Sequence, residues 1–201
     1  RLDHINNFSI DEILRNKFGN DIKIVVVDHD TDGSVSTCLL AKDHINNSTP
    51  LIIYTPDVYF EPPFDPSTID QQLDGFILTF KANSPAHSYV SLDSQGYATK
   101  TAEKQVISEN AAVGVYYFKT GKTFVDHAED MISNNIRTNN EFYICPMFNT
   151  VIGEGGKVGI GCVDKMHVLG TPRELEFFVD NVTYQFGERP VALCADHSGY
   201  Q

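Results

Sequence analysis

The chain has 201 residues, 41% of them hydrophobic and 21% charged, enough apolar material for one full core and a fragment of another, which excludes a disordered polymer. Fifteen Lys and Arg stand against 27 Asp and Glu, a formal net charge of -12; the overall field therefore excludes nucleic acid and anionic lipid as partners, and any phosphate must be held by local chemistry. Cys38, Cys145, Cys162 and Cys194 form no CxxC pair, no apolar run nears the roughly 18 residues of a membrane helix, and no signal segment opens the chain, so a cytoplasmic protein without a membrane partner is expected.

In chain order, Ser9 and Glu12 have capping-box spacing, and Ile10, Ile13, Leu14 and Phe18 recur at helical intervals, predicting a helix from about Ile10 to Phe18. Lys23 to Val27 reads as a β-branched strand, Gly33 opens a helical pattern through Val35, Leu39, Leu40 and Ile45, and Leu51 to Tyr54 reads as a buried strand. The order is strand, helix, strand, as in a parallel sheet. Gly75–Lys81, Tyr89–Asp93, Tyr97–Ala102, Ala111–Phe118 and Lys157–Val163 read as further strands. Helices are expected around Phe124–Ile132, over Glu141–Ile152, and from Thr171 and Pro172 onward. Residues 181–189 are polar and lead through Pro190 into a strand-like run, Val191–Ala195, read as a linker into a second domain; the chain reads as cut at both ends.

Asp28, Asp30, Asp32 and Gly33 match the first half of a calcium loop, but position twelve is Leu39 and a strand precedes it, which favours an acidic strand-to-helix turn. The glycines from Gly153 to Gly161 fit no phosphate-loop spacing and read as a turn entering a strand, and the histidines form no HExxH or close cluster. Asp57 follows a short buried strand, where open α/β sheets place ligands and a hard oxygen suits magnesium, although an aspartate opening a surface loop is the commoner explanation. Glu103 and Lys104 follow another strand and could accept sugar hydroxyls and hold a phosphate, the ordinary alternative being an exposed acid and base pair.

Seven blocks in order carry a resemblance: TDGSVSTCLLAK from Thr31, PLIIYTPDVYF from Pro50, LDGFILTFKA from Leu73, AEKQVIS from Ala102, VGVYYF from Val113, NNEFYICPMFN from Asn139 and MHVLGTPREL from Met166. From about Ile10 to Val179 the chain resembles the sugar-phosphate nucleotidyltransferases, which join a sugar 1-phosphate to a nucleoside triphosphate and release pyrophosphate. The resemblance implies an α/β, three-layer fold with a mostly parallel mixed sheet, the nucleotide-diphospho-sugar transferase (glycosyltransferase A-type) fold, here truncated at its N-terminus. It implies that Gly33 lies by the base, that Asp57 holds Mg2+, and that Glu103 and Lys104 contact the sugar and its phosphate, Asp57 and Lys104 being the catalytic pair. Gly114 would approach the sugar through its backbone, with Asn140 and Glu141 on the sugar side.

Two departures follow. The second metal-binding aspartate of many relatives is here Val168, and nothing in Arg1–Phe18 matches the family's glycine-rich triphosphate loop, so little or no activity is expected of this piece alone. The tail RPVALCADHSGYQ, residues 189–201, is similar to the opening of type B ribose-5-phosphate isomerases, which implies that Asp196 and His197 bind a sugar phosphate; a strand ending in a polar turn is the plain alternative. The expected domains are 1–180, a linker 181–189, and the first strand of the isomerase-like unit at 190–201. The expected function is nucleotide-sugar formation for bacterial surface polysaccharide, with homo-oligomerisation left open. Three alternatives remain: a nucleotide-sugar-dependent glycosyltransferase, a cytidylyltransferase, and a catalytically silent sugar-nucleotide-binding regulatory domain.

Overall fold

The structure, a computed structural model, describes residues 1–182. Residues 183–201, with most of the expected linker and with Asp196 and His197, lie outside the described residues.

The chain opens with two short helices, α1 (Leu2–Phe8) and α2 (Ile10–Phe18), neither of which buries a residue. Helix α2 has its predicted span, but the capping box is not made. Ser9 is also the residue that closes α1, its N–H donating to the Ile5 carbonyl, and at φ 48° its side chain caps nothing. The predicted strand Lys23–Val27 is a correction: the segment joins no ladder, and one backbone bond, Leu2 N–H to Val27 C=O at 2.8 Å, ties it down. β-Branched residues favour an extended backbone, but a strand exists only where a neighbour satisfies its row of donors and acceptors.

The helix predicted after Gly33 is split into α3 (Ser34–Leu39) and α4 (Lys42–Ile45), and β1 (Leu51–Tyr54) follows. Next come β2 (Val58–Glu61), unpredicted, then β3 (Gly75–Lys81), β4 (Ser88–Leu92), β5 (Ala98–Glu103) and β6 (Asn110–Phe118). Helix α5 (Gly121–Ser133) starts where the Thr120 hydroxyl accepts from the Thr123 N–H. After α6 (Ile144–Gly153), β7 (Val158–Cys162) and the unpredicted β8 (Lys165–Val168), α7 (Pro172–Asn181) starts with Pro at its first position and the Thr171 hydroxyl accepting from the Glu174 N–H. Both starts follow ordinary capping chemistry.

The fold is mixed α/β. The central sheet runs β5-β4-β6-β3-β7, with β1 also on β6, and β2 and β8 form a separate ribbon. β3 and β7 are parallel, while β6 runs against β1, β3 and β4, and β4 against β5. The strand-helix-strand unit ending at Tyr54 is therefore not a parallel pair: β1 takes an antiparallel place beside β6.

Alternating residues of the sheet feed two cores. Ile77, Tyr116 and Phe118 face α3, α5 and α6, where Phe118 stacks on Phe148 at 4.6 Å and meets Phe124 edge-on at 5.3 Å. Phe76, Leu78, Val113, Val115 and Tyr117 face Phe60 of the β2–β8 ribbon, and α7 packs beyond it through Leu169, Phe178 and Tyr59. Helices, sheet and ribbon with α7 thus make three layers.

The edge strand β5 is closed by a side chain. The Asn149 amide of α6 accepts from the Thr101 N–H at 2.8 Å and donates to the Thr101 C=O at 2.9 Å, imitating a neighbouring strand. Asn149→Ala removes both bonds and is expected to lower stability by about 1–3 kcal/mol, read as a shift of the urea midpoint at unchanged slope; an unshifted midpoint contradicts this role.

Candidate functional site

Strand β6 gives one edge to β3 along its length and divides the other. Tyr89 of β4 pairs at Ala111, and Leu51–Tyr54 of β1 pair with Phe118 back to Val115. Between these ladders, Ala112 to Gly114 face a gap where β1 has ended and β4 has not begun. Open α/β sheets gather ligands at such divisions beyond strand ends.

The β1 side is shaped by a bulge. Pairing with β3 steps from Ile77 opposite Tyr116 to Thr79 opposite Ala112, so Leu78 alone faces Val113, Gly114 and Val115. Gly114 takes the extra curvature at φ 94°, and a Cβ there would lie 1.9 Å from Thr55 Oγ1. Its carbonyl accepts from the Thr55 N–H at 2.9 Å and from the Thr55 hydroxyl at 3.3 Å. The close approach at Gly114 is therefore to Thr55, and it seats the loop that carries Asp57. The Asp57 carbonyl is held in turn by the Leu169 N–H at 2.7 Å, and a Cβ at Gly170 would lie 3.1 Å from Asp57 Oδ2, so a side chain there would crowd the carboxylate. The charge of Asp57 reaches Tyr116, whose hydroxyl is pushed well up, first by burial and further by Cys145, Glu103 and Asp57.

On the opposite side, Glu103 ends β5 across from Ser88, whose hydroxyl donates to its carboxylate. Burial pushes the Glu103 carboxyl up, Ser88 and the Lys104 charge pull it back, and Glu141 adds to the rise. Lys104 turns out of the strand at φ 53° with its N–H on the His87 carbonyl at 3.1 Å. Its ammonium donates to the Tyr143 hydroxyl at 3.1 Å, 5.2 Å from the ring centroid. That bond, with the charges of Glu103 and Glu141, raises its pKa against the opposing effect of burial.

The third wall is a strap. Thr138 and Glu141 bridge through left-handed Asn139 and Asn140, φ 48° and 69°, and the Phe142 N–H donates to Asp32 C=O while the Val35 N–H donates to Phe142 C=O. Helix α6 begins at Ile144 instead of Glu141 because these residues are engaged with the Gly33 turn. A Cβ at Gly33, φ 110°, would meet the Phe142 carbonyl at 2.7 Å. Arg137 fastens the arrangement, donating to Asp32 and to the Asn140 carbonyl, both at 2.8 Å, with its guanidinium 4.0 Å over the Phe142 ring.

The structure therefore sets Lys104 on Tyr143, Gly33 against Phe142 and Glu141, and Gly114 against Thr55. Asn140 is engaged through its backbone. Asp28, Asp30 and Asp32 pair with His29, Arg1 and Arg137 respectively. Ser88, Tyr116, Arg137 and Tyr143 were not singled out in the sequence. Tyr116 and Tyr143 lie inside blocks that carried the resemblance, while Ser88 and Arg137 meet their partners across 15 and 105 positions and leave no local signal.

Among the described residues no group of three His, Cys, Asp or Glu side chains could hold a metal by itself. Magnesium keeps several waters and takes one or two carboxylates plus substrate phosphates, a donor set to which the chemistry of the Asp57 carboxylate belongs. No helix of the described residues is long and apolar enough to cross a membrane.

Because Glu103 has its pKa raised on folding, the native state binds its proton more tightly than the unfolded chain does. Its contribution to stability is thus most favourable below the ordinary value of 4.5 and declines as pH rises through the folded value. Glu103→Gln should flatten the stability profile across that window; an unchanged profile of urea midpoint against pH contradicts the shift.

No protein-family model matches the chain, and no curated protein matches it. Solved structures do. A nucleoside-diphosphate-sugar pyrophosphorylase from Vibrio cholerae aligns with 88% of this chain and 78% of its own at TM-score 0.75 and 21% identity. A Bacillus anthracis protein assigned as a glucose-1-phosphate thymidylyltransferase aligns with 92% of this chain and 73% of its own, at TM-score 0.66 and 15% identity. The inositol-1-phosphate CTP transferase from T. maritima aligns over 92% and 74%, at TM-score 0.63 and 14% identity. The likeness is one of fold, and the neighbours are nucleotidyltransferases.

Proposed function

We propose that the chain forms a nucleotide-diphospho-sugar and pyrophosphate from a sugar 1-phosphate and a nucleoside triphosphate. The observation that supports this reading is the acid and base pair at the end of β5, a part-buried Glu103 carboxylate followed by an exposed Lys104 ammonium that rests on Tyr143, with the Asp57 carboxylate beside Gly170 as the metal-binding group. Folds of this kind host several chemistries, so the site and not the sheet supports the assignment.

An oxygen of the sugar phosphate attacks the α-phosphorus of the nucleotide in line, the bond to the bridging oxygen breaks, and pyrophosphate leaves with the electron pair. No covalent enzyme intermediate is required. Lys104 holds the sugar phosphate as a point charge and offsets the charge of the crowded phosphates, and Glu103 accepts from sugar hydroxyls. Gly33, closed against Phe142, places backbone by the base; Gly114, Asn140 and Glu141 lie toward the sugar, so the walls supply alignment. Asp57 would hold Mg2+, which supplies charge neutralisation between the phosphates. We place the reaction in the cytoplasm, in the supply of activated sugars for surface polysaccharide, ahead of an isomerase-like sugar-phosphate domain beginning at residue 190.

One observation favours a second reading. Residue 168 is Val where a second acidic ligand would stand, and β8 ends there against Val58, which suits a sugar-nucleotide-binding domain without turnover. Pyrophosphate release by the intact protein over panels of nucleotides and sugar 1-phosphates separates the two. Release with a preferred pair supports the transferase; nucleotide-sugar binding without release under any pair supports the silent domain; binding of neither substrate nor product contradicts both.

A further inference from the structure

Lys104 lies between two acids. Glu103 precedes it on β5 and Glu141 projects from the strap, and the charges of both act on it. A flexible lysine so placed would ordinarily close an ion pair with one of them, and its charge would then be spent before a phosphate arrived. In the structure its hydrogen bond goes elsewhere, to the Tyr143 hydroxyl at 3.1 Å. The hydroxyl offers a lone pair to the ammonium. Glu103 is occupied by the Ser88 hydroxyl. The ammonium has thus given up one of its three N–H donors to a neutral oxygen, leaving two for a ligand.

The tyrosine is itself held. It immediately follows Phe142, whose backbone is bonded on both sides to the Gly33 turn and whose ring lies under Arg137, and it immediately precedes α6. The ring therefore has a fixed origin against which Lys104 rests 5.2 Å from the centroid, a cation–π distance.

We propose that Tyr143 is a positioning residue for substrate phosphate: it holds the Lys104 ammonium clear of Glu103 and Glu141 and aims it at the phosphate group of a sugar phosphate. The ligand's identity rests on the function proposed above; the holding of Lys104 does not. Tyr143→Phe keeps the ring and its packing and removes the oxygen. In glucose 1-phosphate titrations followed by calorimetry, the variant should bind about tenfold more weakly than the parent, and the same change in a Lys104→Ala background should have no further effect. Without ligand, nuclear Overhauser contacts between the Lys104 ε-protons and the residue 143 ring, present in the parent, should be lost in Tyr143→Phe as the ammonium moves to an acid. Unchanged contacts, or an affinity loss that persists without Lys104, overturns the proposal. If the parent binds no glucose 1-phosphate while the contacts still vanish in the variant, the holding of Lys104 stands and the sugar-phosphate reading falls.

Discussion

In the intact protein, Asp57→Asn is expected to lower magnesium-dependent turnover about 100-fold or more, equivalent to about 2.7 kcal/mol of transition-state stabilisation. Asparagine has the same shape, and the Asp57 carbonyl on Leu169 and the Thr55 N–H on Gly114 are backbone bonds that the change keeps. What is lost is the anionic oxygen beside Gly170. The neutral amide keeps an acceptor but not the charge that a hard cation requires. Pyrophosphate release measured against magnesium concentration should lose its metal response. Turnover and metal response equal to the parent would place the metal, and the catalytic pair, somewhere other than Asp57.

Gly114→Ala is the second large effect, and it acts on stability before chemistry. The backbone stands at φ 94° and the added carbon would sit 1.9 Å from Thr55 Oγ1, so the substitution combines a disfavoured conformation with a clash. Strain of about 1–3 kcal/mol for the backbone and a similar amount for overpacking give an expected loss of about 2–6 kcal/mol. Relief by moving Thr55 would break its two bonds to the Gly114 carbonyl and carry Asp57 away, so substrate binding should weaken in whatever fraction folds. Thr55→Ala in the same chain removes the clashing oxygen and should recover part of the loss, a non-additivity that a double-mutant cycle in urea reads directly. Simple additivity of the two changes would contradict the contact.

The parts of the fold that were legible are those whose signal is local. The span of α2, the apolar run of β3, and the alternation in β6 that feeds both cores depend on residues within a few positions of each other. Lys23–Val27 carries the same composition as a strand, yet strandhood needs a partner, and composition holds no record of whether one stands alongside. Strands β2 and β8 failed in the opposite direction: Val58–Glu61 and Lys165–Val168 are short and mixed in character, and become strands because each satisfies the other, Val58 against Val168 and Glu61 against Lys165. The parallel pair expected at Tyr54 failed because β6, much later in the chain, supplies an antiparallel edge.

In the site, ordered blocks pointed to Asp57, Glu103 and Lys104, which stand between β1 and β2, at the end of β5 and directly after it. The groups that set their properties were not legible. Ser88 meets Glu103 by cross-strand register, Tyr143 meets Lys104 through the strap, and Arg137 meets Asp32 across 105 positions. Gly114 was legible as a glycine but not as a bulge, since the two extra residues are counted only against Leu78 of a neighbouring strand.

The central claim is that a sugar phosphate sits at the divided edge of β6, between Asp57 and Lys104. The most direct measurement is a titration of 15N-labelled protein with glucose 1-phosphate, followed through amide resonances. The account predicts the largest shifts at Glu103, Lys104 and Gly114, lost in Lys104→Ala. Saturable shifts confined to the groove between β8 and α7, or shifts that persist without Lys104, would contradict it.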